Sequence, residues 1–386
     1  MLTGTALSRF RKNLLAWFAE FQRDLPWRRT SNPYCIWLSE IMLQQTRVAT
    51  VIPYYQRFLE HFPTVESLAV APEQEVLRHW AGLGYYSRAR NLQKAAQQIV
   101  AEHHSRFPDA HEKALELSGI GAYTAAAILS IAYGQKLAVL DGNVARVLAR
   151  LRATRGDLRT SSTWQQLQRA ADDLLASDAP GDWNQAMMEL GATICTPRSP
   201  QCLLCPVAEF CQARRLGLVE VIPEKRNKRD PVEVTLAALV LLDANGYTLL
   251  LAPAKSIPKG QAEVEPGVTA LLSGMWHFPT IEVRRNASAE IRALARRFNN
   301  GDPKQKKNLQ QLPPARHTVT YRQITIFPFR MEVAKIPFLD HARVLPLDEL
   351  SLVPVSNLTR KVARAALLPQ HPVSKPAKVV SSALQF

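Results

Sequence analysis

The chain has 386 residues, 47% of them hydrophobic, which is enough for more than one buried core, so at least two domains are expected. Its net charge of +15, from 48 Lys and Arg against 33 Asp and Glu, favours a polyanionic partner such as nucleic acid. No apolar run approaches the roughly 20 residues of a spanning helix, and the N-terminus does not resemble a signal peptide, so a cytoplasmic protein without a membrane partner is expected.

The first half of the chain has the apolar periodicity of helices. Phe10, Leu14, Trp17, Phe18 and Phe21 recur at intervals of three and four, which places them on one face of a helix. Further helices are predicted at residues 91–101, 122–132, 143–151, 162–176 and 182–194. This half of the chain therefore predicts an all-α domain.

The periodicity changes after a basic, proline-bounded linker at residues 223–232. Strands are predicted at 234–242, 247–251 and 323–333, and helices near 347–350 and 357–368. Asn245-Gly246 separates the first two strands and is typical of a hairpin turn. We therefore expect an all-α domain over 1–222, an α+β domain over 233–368 and a disordered tail over 369–386.

A glycine-rich turn separates two helical stretches. Its sequence is Leu117-Ser118-Gly119-Ile120-Gly121-Ala122-Tyr123-Thr124. Gly119 and Gly121 allow a tight turn and a close approach to a phosphate, and the following helix offers unpaired N–H groups and the positive end of its dipole. An ordinary turn between helices also contains glycines, so the turn alone leaves both interpretations open.

A candidate carboxylate follows one helix later, in Leu140-Asp141-Gly142-Asn143. An Asp directly before a helix is most often only its N-cap. In a catalytic interpretation, Asp141 acts on the substrate, and Asn143 holds or orients the Asp141 side chain.

Four cysteines, namely Cys195, Cys202, Cys205 and Cys211, lie within one short segment, whereas Cys35 stands alone and is expected to be a buried apolar residue. Four thiolates in one compact loop suit either a tetrahedral zinc ion or an iron-sulfur cluster. Structural zinc sites usually combine two short Cys-x2-Cys pairs, and here only Cys202 and Cys205 form one. An iron-sulfur cluster is therefore favoured, with zinc as the alternative.

Several further segments are specific enough to indicate a family. They are Leu25-Pro26-Trp27-Arg28, the run from Trp37 to Thr46 that contains Glu40, Gly82-Leu83-Gly84-Tyr85-Tyr86 with the residues up to Leu92, and residues 184–191. Together with the turn and the cysteine loop, they resemble the MutY family of adenine DNA glycosylases, in the endonuclease III superfamily, over residues 10–368. The resemblance implies a helix-hairpin-helix glycosylase domain with a [4Fe-4S] cluster on the four cysteines, followed by a Nudix-like domain. It also implies a monomer that acts on double-stranded DNA containing A:8-oxoguanine or A:G mispairs.

The resemblance assigns the two chemical roles that adenine removal requires. Adenine leaves poorly as an anion, so an acid must protonate its N7, and the sugar cation that forms needs a nearby negative charge. Glu40 is implied as the acid and Asp141 as the carboxylate that stabilises or briefly bonds the sugar, as in retaining glycosidases. Glu40 alone is also compatible with an exposed position on a helix.

The remaining implied roles concern DNA recognition. Gln45 and Tyr85 resemble residues that insert into the base stack, and Trp27, Arg28 and Glu189 resemble an adenine pocket. Aromatic residues such as Trp27 and Tyr85 more often pack in a core. The loop that reads the opposite base is Phe-Ser-His in the family and Val319-Thr320-Tyr321 here, so Thr320 is its remaining polar contact.

Parts of the sequence are also compatible with two other functions. A bifunctional glycosylase/lyase such as endonuclease III needs a lysine two residues after the second glycine of the turn, whereas this chain has Tyr123, whose phenol forms no imine. A non-catalytic, cluster-bearing protein that binds damaged DNA is disfavoured because both carboxylates are present. In the second domain, residues 287–298 offer only Glu290 for a magnesium site, so nucleotide hydrolysis is not expected.

Overall fold

The computed structural model describes residues 3–224, 230–252, 275–284, 286–298, 309–319 and 321–367. The chain divides into two compact units, Met1–Arg229 and Asp230–Phe386. Thr320 and the predicted tail over 369–386 lie outside the described residues. No helix within the described ranges combines the length and the apolar character needed to cross a membrane.

In its described residues, the first unit consists of helices joined by short loops. They are α1 (Gly4–Phe21), α2 (Pro33–Leu43), α3 (Val48–His61), α4 (Val65–Val70), α5 (Glu73–Trp80), α6 (Ser87–Glu102), α7 (His111–Glu116), α8 (Ala122–Tyr133), α9 (Gly142–Arg152), α10 (Ser161–Leu174), α11 (Pro180–Thr193) and α12 (Gln212–Arg215). Short 3-10 turns lie at Pro26–Arg28 and Ala208–Phe210. The five helical stretches predicted after residue 90 are confirmed as α6 and α8 to α11.

The apolar stripe of α1 is narrower than its sequence predicts. Phe10, Leu14 and Phe18 are buried and Trp17 is partly buried, but Phe21, at the last position of the helix, is 59% exposed. Three buried residues separated by four positions form a single seam, which is enough to attach a helix to a core.

The helices of the first unit surround two apolar cores. One core joins helices α2 to α8, with Trp37, Phe58 and Trp80 at its centre. The other joins α1 to helices α8 to α12, with Phe10 and Trp183 at its centre. Helix α8 contributes apolar side chains to both cores, so side chains at its first turn lie between the two halves.

In the part of the second unit that the structure describes, there is a five-stranded mixed sheet and a separate pair of strands. Its elements are β1 (Val232–Leu242), β2 (Tyr247–Leu251), β3 (Thr280–Glu282), α13 (Ala287–Arg297), β4 (Leu309–Gln311), β5 (Ala315–Val319), β6 (Arg322–Glu332), β7 (Ala342–Pro346), a 3-10 segment (Leu347–Leu352) and α14 (Asn357–Leu367). The central strands β1 and β6 are parallel, from Val232 opposite Arg322 to Leu242 opposite Glu332. Strand β3 pairs antiparallel with β1, and β4 and β5 pair antiparallel with β6.

The continuous apolar run of β1 arises because both faces of the sheet are covered. Leu236, Ala238 and Val240 belong to the core shared with α14, whereas Leu239 and Leu241 belong to the core shared with α13. Residues two apart on a strand point to the same face, so this alternation places one helix on each side of the sheet.

The predicted hairpin between β1 and β2 is wrong. The turn forms, with Gly246 at φ +81° and the Asp243 carboxylate accepting from the N–H groups of Asn245 and Tyr247. Beyond the turn the strands diverge, because β1 pairs with β3 and β6 while β2 pairs with β7. A turn sequence fixes the local reversal of the chain but not which strands pair after it.

Gly181 allows α11 to pack closely on α8. A Cβ atom at Gly181 would lie 2.8 Å from the Ser130 carbonyl oxygen and 3.0 Å from the Ile131 Cα atom, and both are backbone atoms that cannot rotate away. Gly181→Ala should therefore lower the free energy of unfolding by about 1–3 kcal/mol in urea denaturation. Gly142 also lies in the first turn of a helix but has open space around it, so Gly142→Ala is the matched control and should be neutral or stabilising. Equal effects of the two substitutions would contradict this packing argument.

Candidate active site

A cavity of about 580 Å³ in the first unit is lined by residues from both cores. Eight of the predicted site residues line it, namely Trp27, Arg28, Glu40, Gln45, Tyr123, Asp141, Asn143 and Glu189. Tyr85 is not part of this lining and lies 42% exposed in the loop between α5 and α6. Residues that are far apart in the sequence, from Trp27 to Glu189, therefore meet in one place.

Glu40 is a buried carboxylate in the wall of this cavity. Its side chain projects from α2, and the residue is only 7% exposed. Burial raises its pKa to about 7, with a smaller contribution from the negative charge of Asp141. Hydrogen bonding from Tyr123 and the charge of Arg28 oppose this rise. Near neutral pH, Glu40 is therefore divided between its acid and carboxylate forms.

Tyr123 is the direct partner of Glu40. Its hydroxyl donates to Glu40 Oε2 at 2.7 Å and also lies 3.2 Å from the Met188 sulfur. Burial and the two nearby carboxylates raise the pKa of Tyr123 well above its usual value, so the phenol stays neutral and remains a donor. The sequence analysis already expected the Tyr123 phenol beside the reacting groups. It assigned no role to Met188, although this residue lies in the 184–191 segment.

Asp141 is the N-cap of α9 and also lines the cavity. Its Oδ1 accepts from the N–H groups of Asn143 at 2.9 Å and Val144 at 2.7 Å, and its Oδ2 accepts from Asn143 Nδ2 at 3.0 Å. Burial raises the pKa of Asp141, although these hydrogen bonds favour the charged form. The capping interpretation of Asp141 is confirmed, and it leaves Oδ2 with a single partner among the described residues.

Arg146 fixes the partner of Asp141, and its role was missed in the sequence. Its guanidinium donates to Asn143 Oδ1 at 3.0 Å, to the Gly191 carbonyl at 2.8 Å and to the Cys195 carbonyl at 2.8 Å. The Asn143 amide is thereby oriented with its nitrogen toward Asp141. The available signal was spacing, since Arg146 lies one helical turn after Asn143 on the same face of α9.

Glu189 is also buried in the cavity wall, but its charge is compensated. Arg23 donates to it from its backbone N–H and from two guanidinium nitrogens, and Arg28 donates to its Oε2 at 2.8 Å. Burial alone favours the neutral form, but the two arginines outweigh it and lower the pKa of Glu189 to about 2. Arg28 also lies over the Phe18 ring at 5.2 Å. Arg23 was not recognised in the sequence, because it precedes the Leu-Pro-Trp-Arg segment without a motif of its own.

The glycine-rich turn lies between α7 and α8 as expected. Gly119 has φ +79°, and a Cβ atom there would lie 2.7 Å from Asn91 Cβ, so only glycine fits without displacing a neighbour. Gly121 is the N-cap residue of α8 and has open space on its Cβ side. The N-terminus of α8 is thus free of side-chain cover at Gly121, as contact with an anion requires.

The four cysteines of the 195–211 loop are close neighbours. Burial raises the pKa of the Cys205 thiol to about 12, and Cys195, Cys211 and Cys202 each add to the rise. The buried Arg150 guanidinium donates to Cys195 Sγ at 3.3 Å. Among the described residues, no group of three or more His, Cys, Asp or Glu is arranged to hold a single metal ion. Four adjacent thiols with a cationic donor fit a thiolate-bound cluster.

Two protein-family models match the chain. The model of the HhH-GPD superfamily of base excision DNA repair proteins matches residues 38–172, and the model of the iron-sulfur binding domain of endonuclease III matches residues 195–211. The second match spans all four cysteines and decides the alternative between zinc and an iron-sulfur cluster in favour of the cluster. The predicted [4Fe-4S] cofactor is thereby confirmed.

Individual proteins are similar over more of the chain. The adenine DNA glycosylase of Homo sapiens is 35% identical, with 92% of this chain and 73% of the relative covered. The adenine DNA glycosylase of Rattus norvegicus is 34% identical, with 92% and 77% covered. Among solved structures, that of a thermostable thymine-DNA glycosylase has a TM-score of 0.50 at 29% identity, covering 54% of this chain and 97% of that one.

The raised pKa of Glu40 makes stability depend on pH. The folded state holds a proton on Glu40 up to about pH 7, whereas the unfolded chain releases it near 4.5, so stability falls as pH rises between these values. Glu40→Gln keeps the shape without the charge and should stabilise the protein at pH 8 by roughly 3 kcal/mol relative to wild type. At pH 4.5 the two proteins should unfold at nearly the same urea concentration. If the free energies of unfolding of Glu40→Gln and wild type differed by the same amount at both pH values, the difference would not arise from the ionisation of a buried Glu40.

Proposed function

Because the chain belongs to the adenine DNA glycosylase family of base excision repair enzymes, we propose that it removes adenine from A:8-oxoguanine and A:G mispairs in double-stranded DNA. We propose a monomeric, monofunctional hydrolase that leaves an abasic site. The observation that carries this proposal is the pair Glu40 and Asp141, two carboxylates in one cavity whose surroundings differ. Such pairs divide acid and anion roles between two similar groups.

Glu40 is proposed as the general acid. A pKa near 7 keeps a large share of Glu40 protonated at neutral pH, and it is close to the value at which proton transfer is most effective. The proton would go to N7 of adenine, so that the base leaves as a neutral molecule. Tyr123, held neutral by burial, keeps the Glu40 carboxyl in place throughout.

Asp141 is proposed as the anion that stabilises the sugar cation. Two backbone N–H groups occupy its Oδ1 and fix the carboxylate, while Oδ2 has Asn143 as its partner. These hydrogen bonds favour the charged form of Asp141 and oppose the effect of burial, which raises its pKa, and we propose that Asp141 carries its charge while Glu40 carries a proton. Retaining glycosidases divide the work between two carboxylates in the same way.

The adenine must leave the duplex before it can react, at a cost of a few kcal/mol. Gln45 and Tyr85 are proposed to fill the gap in the base stack, and Trp27, Arg28 and Glu189 are proposed to bind the extruded base. Glu189 accepts four hydrogen bonds from arginines, so binding of the adenine amine requires one of these donors to move aside. Gly119 and Gly121 are proposed to contact the DNA backbone.

The [4Fe-4S] cluster would be held by the thiolates of Cys195, Cys202, Cys205 and Cys211. When bound, it ties the loop together and supplies an electron-transfer centre whose potential depends on nearby hydrogen bonds. Arg150 supports its first ligand by donating to Cys195 Sγ and to the Thr196 carbonyl. Arg146 extends this support to the Cys195 backbone.

We propose that residues 233–368 form a Nudix-like domain that reads the base opposite adenine, joined to the glycosylase domain at 1–222 by the 223–232 linker. The mixed sheet with a helix on each face supports this proposal. Thr320, the proposed contact to 8-oxoguanine, belongs to the connection between β5 and β6, outside the described residues. Both carboxylate oxygens of Glu290 accept from the Arg284 N–H, which supports a structural role rather than magnesium binding.

Replacing Glu40 with Gln tests both the acid role and the catalytic proposal. An amide cannot protonate N7 but preserves the shape of the side chain, so binding to an A:8-oxoguanine duplex should persist while single-turnover excision falls at least about a hundredfold. Excision is measured by alkaline cleavage of the labelled adenine strand. Excision by wild type at a rate no higher than that of Glu40→Gln would favour a non-catalytic DNA-binding protein.

Tyr123 separates the hydrolase from a lyase. A lyase reaction passes through an imine that borohydride traps as a covalent protein–DNA adduct, and a phenol cannot form one. Wild type should therefore give little adduct, whereas Tyr123→Lys should trap DNA and cleave the strand, with slower adenine release. Strong trapping by wild type would mean that another amine reaches the sugar. Absence of trapping by a folded, DNA-binding Tyr123→Lys protein would place position 123 away from the sugar.

A further inference from the structure

One buried guanidinium contacts both of the loops proposed to enter the DNA. We propose that Arg88 is a positioning residue that holds these loops, residues 44–47 and residues 81–86, as one rigid wedge for extruding the base. This inference rests on the proposed adenine removal and gives a role to a residue to which the family resemblance assigned none. The two loops are called the first and the second wedge loop below.

Arg88 lies in the first turn of α6 and is only 9% exposed. On the side of the first wedge loop, its Nη1 donates to the Gln44 carbonyl, and its Nη2 donates to Thr46 Oγ1 at 3.2 Å. On the side of the second wedge loop, Nη2 donates to the Leu83 and Gly84 carbonyls, both at 3.3 Å. A single planar group therefore links two loops that are about forty residues apart in the sequence.

The same guanidinium also holds the end of the helix that carries Glu40. Nη1 donates to the carbonyls of Ile41 at 2.8 Å and Met42 at 2.9 Å, in the last turn of α2. These carbonyls form the negative end of the helix dipole, where a cation is favourable. The wedge loops are thus fixed relative to the helix that presents the proposed acid.

Both proposed wedge residues have a backbone conformation that needs such support. Gln45 has φ +57° and Tyr85 has φ +48°, values that residues other than glycine adopt at a cost in free energy. Both side chains are exposed, so their own packing does not hold them there. Each loop nevertheless keeps this conformation, and Arg88 contacts the residues directly beside both positions, Gln44 and Gly84.

The aromatic neighbours of Arg88 add to the arrangement. Its guanidinium carbon lies 5.5 Å from the centre of the Trp80 ring and 5.4 Å from that of Tyr85, within the range of cation–π attraction. The indole N–H of Trp80 donates to the Gly84 carbonyl, which Arg88 also contacts. The ring of Tyr85 is therefore oriented by the same group that holds its backbone.

The cost of burying this cation argues for a dedicated role. All of its hydrogen-bond partners in the described part of the chain are carbonyls or a hydroxyl, so no carboxylate compensates its charge. Burial lowers the pKa of Arg88 to about 10, which still leaves it charged at neutral pH. A lysine would keep the charge but has a single nitrogen, which cannot reach all of these acceptors at once.

The test compares Arg88→Lys with Arg90→Lys, the same substitution two residues later, where the side chain pairs with Glu73. Excision is measured in single turnover on an A:8-oxoguanine duplex, over a range of pH. Extrusion is measured separately in proteins that also carry Glu40→Gln, with 2-aminopurine in place of adenine, whose fluorescence rises when it leaves the stack. Thermal unfolding of each variant reports on its fold.

Arg88→Lys should slow excision by about tenfold and reduce the fluorescence rise at saturating protein, as expected if strained loops relax. Its pH profile should keep the wild-type midpoint, because Glu40 is not altered, and Arg90→Lys should behave as wild type. A full fluorescence rise with slow excision would overturn the proposal, because Arg88 would then act on the chemistry. The proposal would also be overturned if Arg88→Lys removed adenine as fast as Arg90→Lys does.

If Arg88→Lys does not fold, Thr46→Val gives the second measurement. This substitution removes one acceptor of Arg88 from the first wedge loop and leaves α2 and the second wedge loop unchanged. It should reduce the fluorescence rise in the same direction but by less, and an undiminished rise would overturn the proposal. Failure of the proposed function has a different signature, since wild type itself would then release no adenine.

Discussion

The burial of carboxylates around one cavity is the constraint on which the rest of the first unit depends. A carboxylate is costly to bury unless hydrogen bonds or opposite charges compensate it. Asp141 receives two backbone N–H groups at the start of α9, whereas within the described ranges Glu40 receives only the neutral phenol of Tyr123. This difference in donors allows one group to be charged while the other is an acid. This division of roles requires three residues from different helices, Glu40, Tyr123 and Asp141, to meet between the two cores.

The packing of the helices around the two cores brings these three residues together. Helix α8 has apolar side chains in both, and Tyr123 in its first turn packs against the second core while its hydroxyl donates to Glu40. Helix α9 carries Asp141 at its start and Arg146 and Arg150 further along, and these arginines contact the cysteine loop. The loop therefore braces the helix whose N-terminus orients Asp141. The active-site geometry thus depends on contacts well outside the cavity itself.

Sequence patterns predicted about half of the α-helices in the described residues, because apolar periodicity is a local property, and the family resemblance supplied the positions of the proposed acid and anion. They did not predict the strand pairing after Asn245-Gly246, because a turn does not determine the sheet to which its strands belong. They also assigned no role to Arg23, Arg88 and Arg146. The role of each arginine depends on acceptors far away in the chain, such as Glu189 for Arg23, and a local sequence pattern does not show these contacts.

Glu40 and Glu189 show how surroundings, rather than residue type, decide which carboxylate can act as the acid. Both are buried glutamates in the wall of the same cavity, yet the pKa of one is about 7 and that of the other about 2. The difference arises because two arginines donate to Glu189, whereas Glu40 has a single neutral donor. A group with a pKa near 2 holds almost no proton at neutral pH, so Glu189 cannot replace Glu40 as a proton donor. Removing the charge of Arg23 or Arg28 would raise the pKa of Glu189, because each arginine lowers it. The two arginines therefore preserve the division of roles between the carboxylates as well as the shape of the cavity wall.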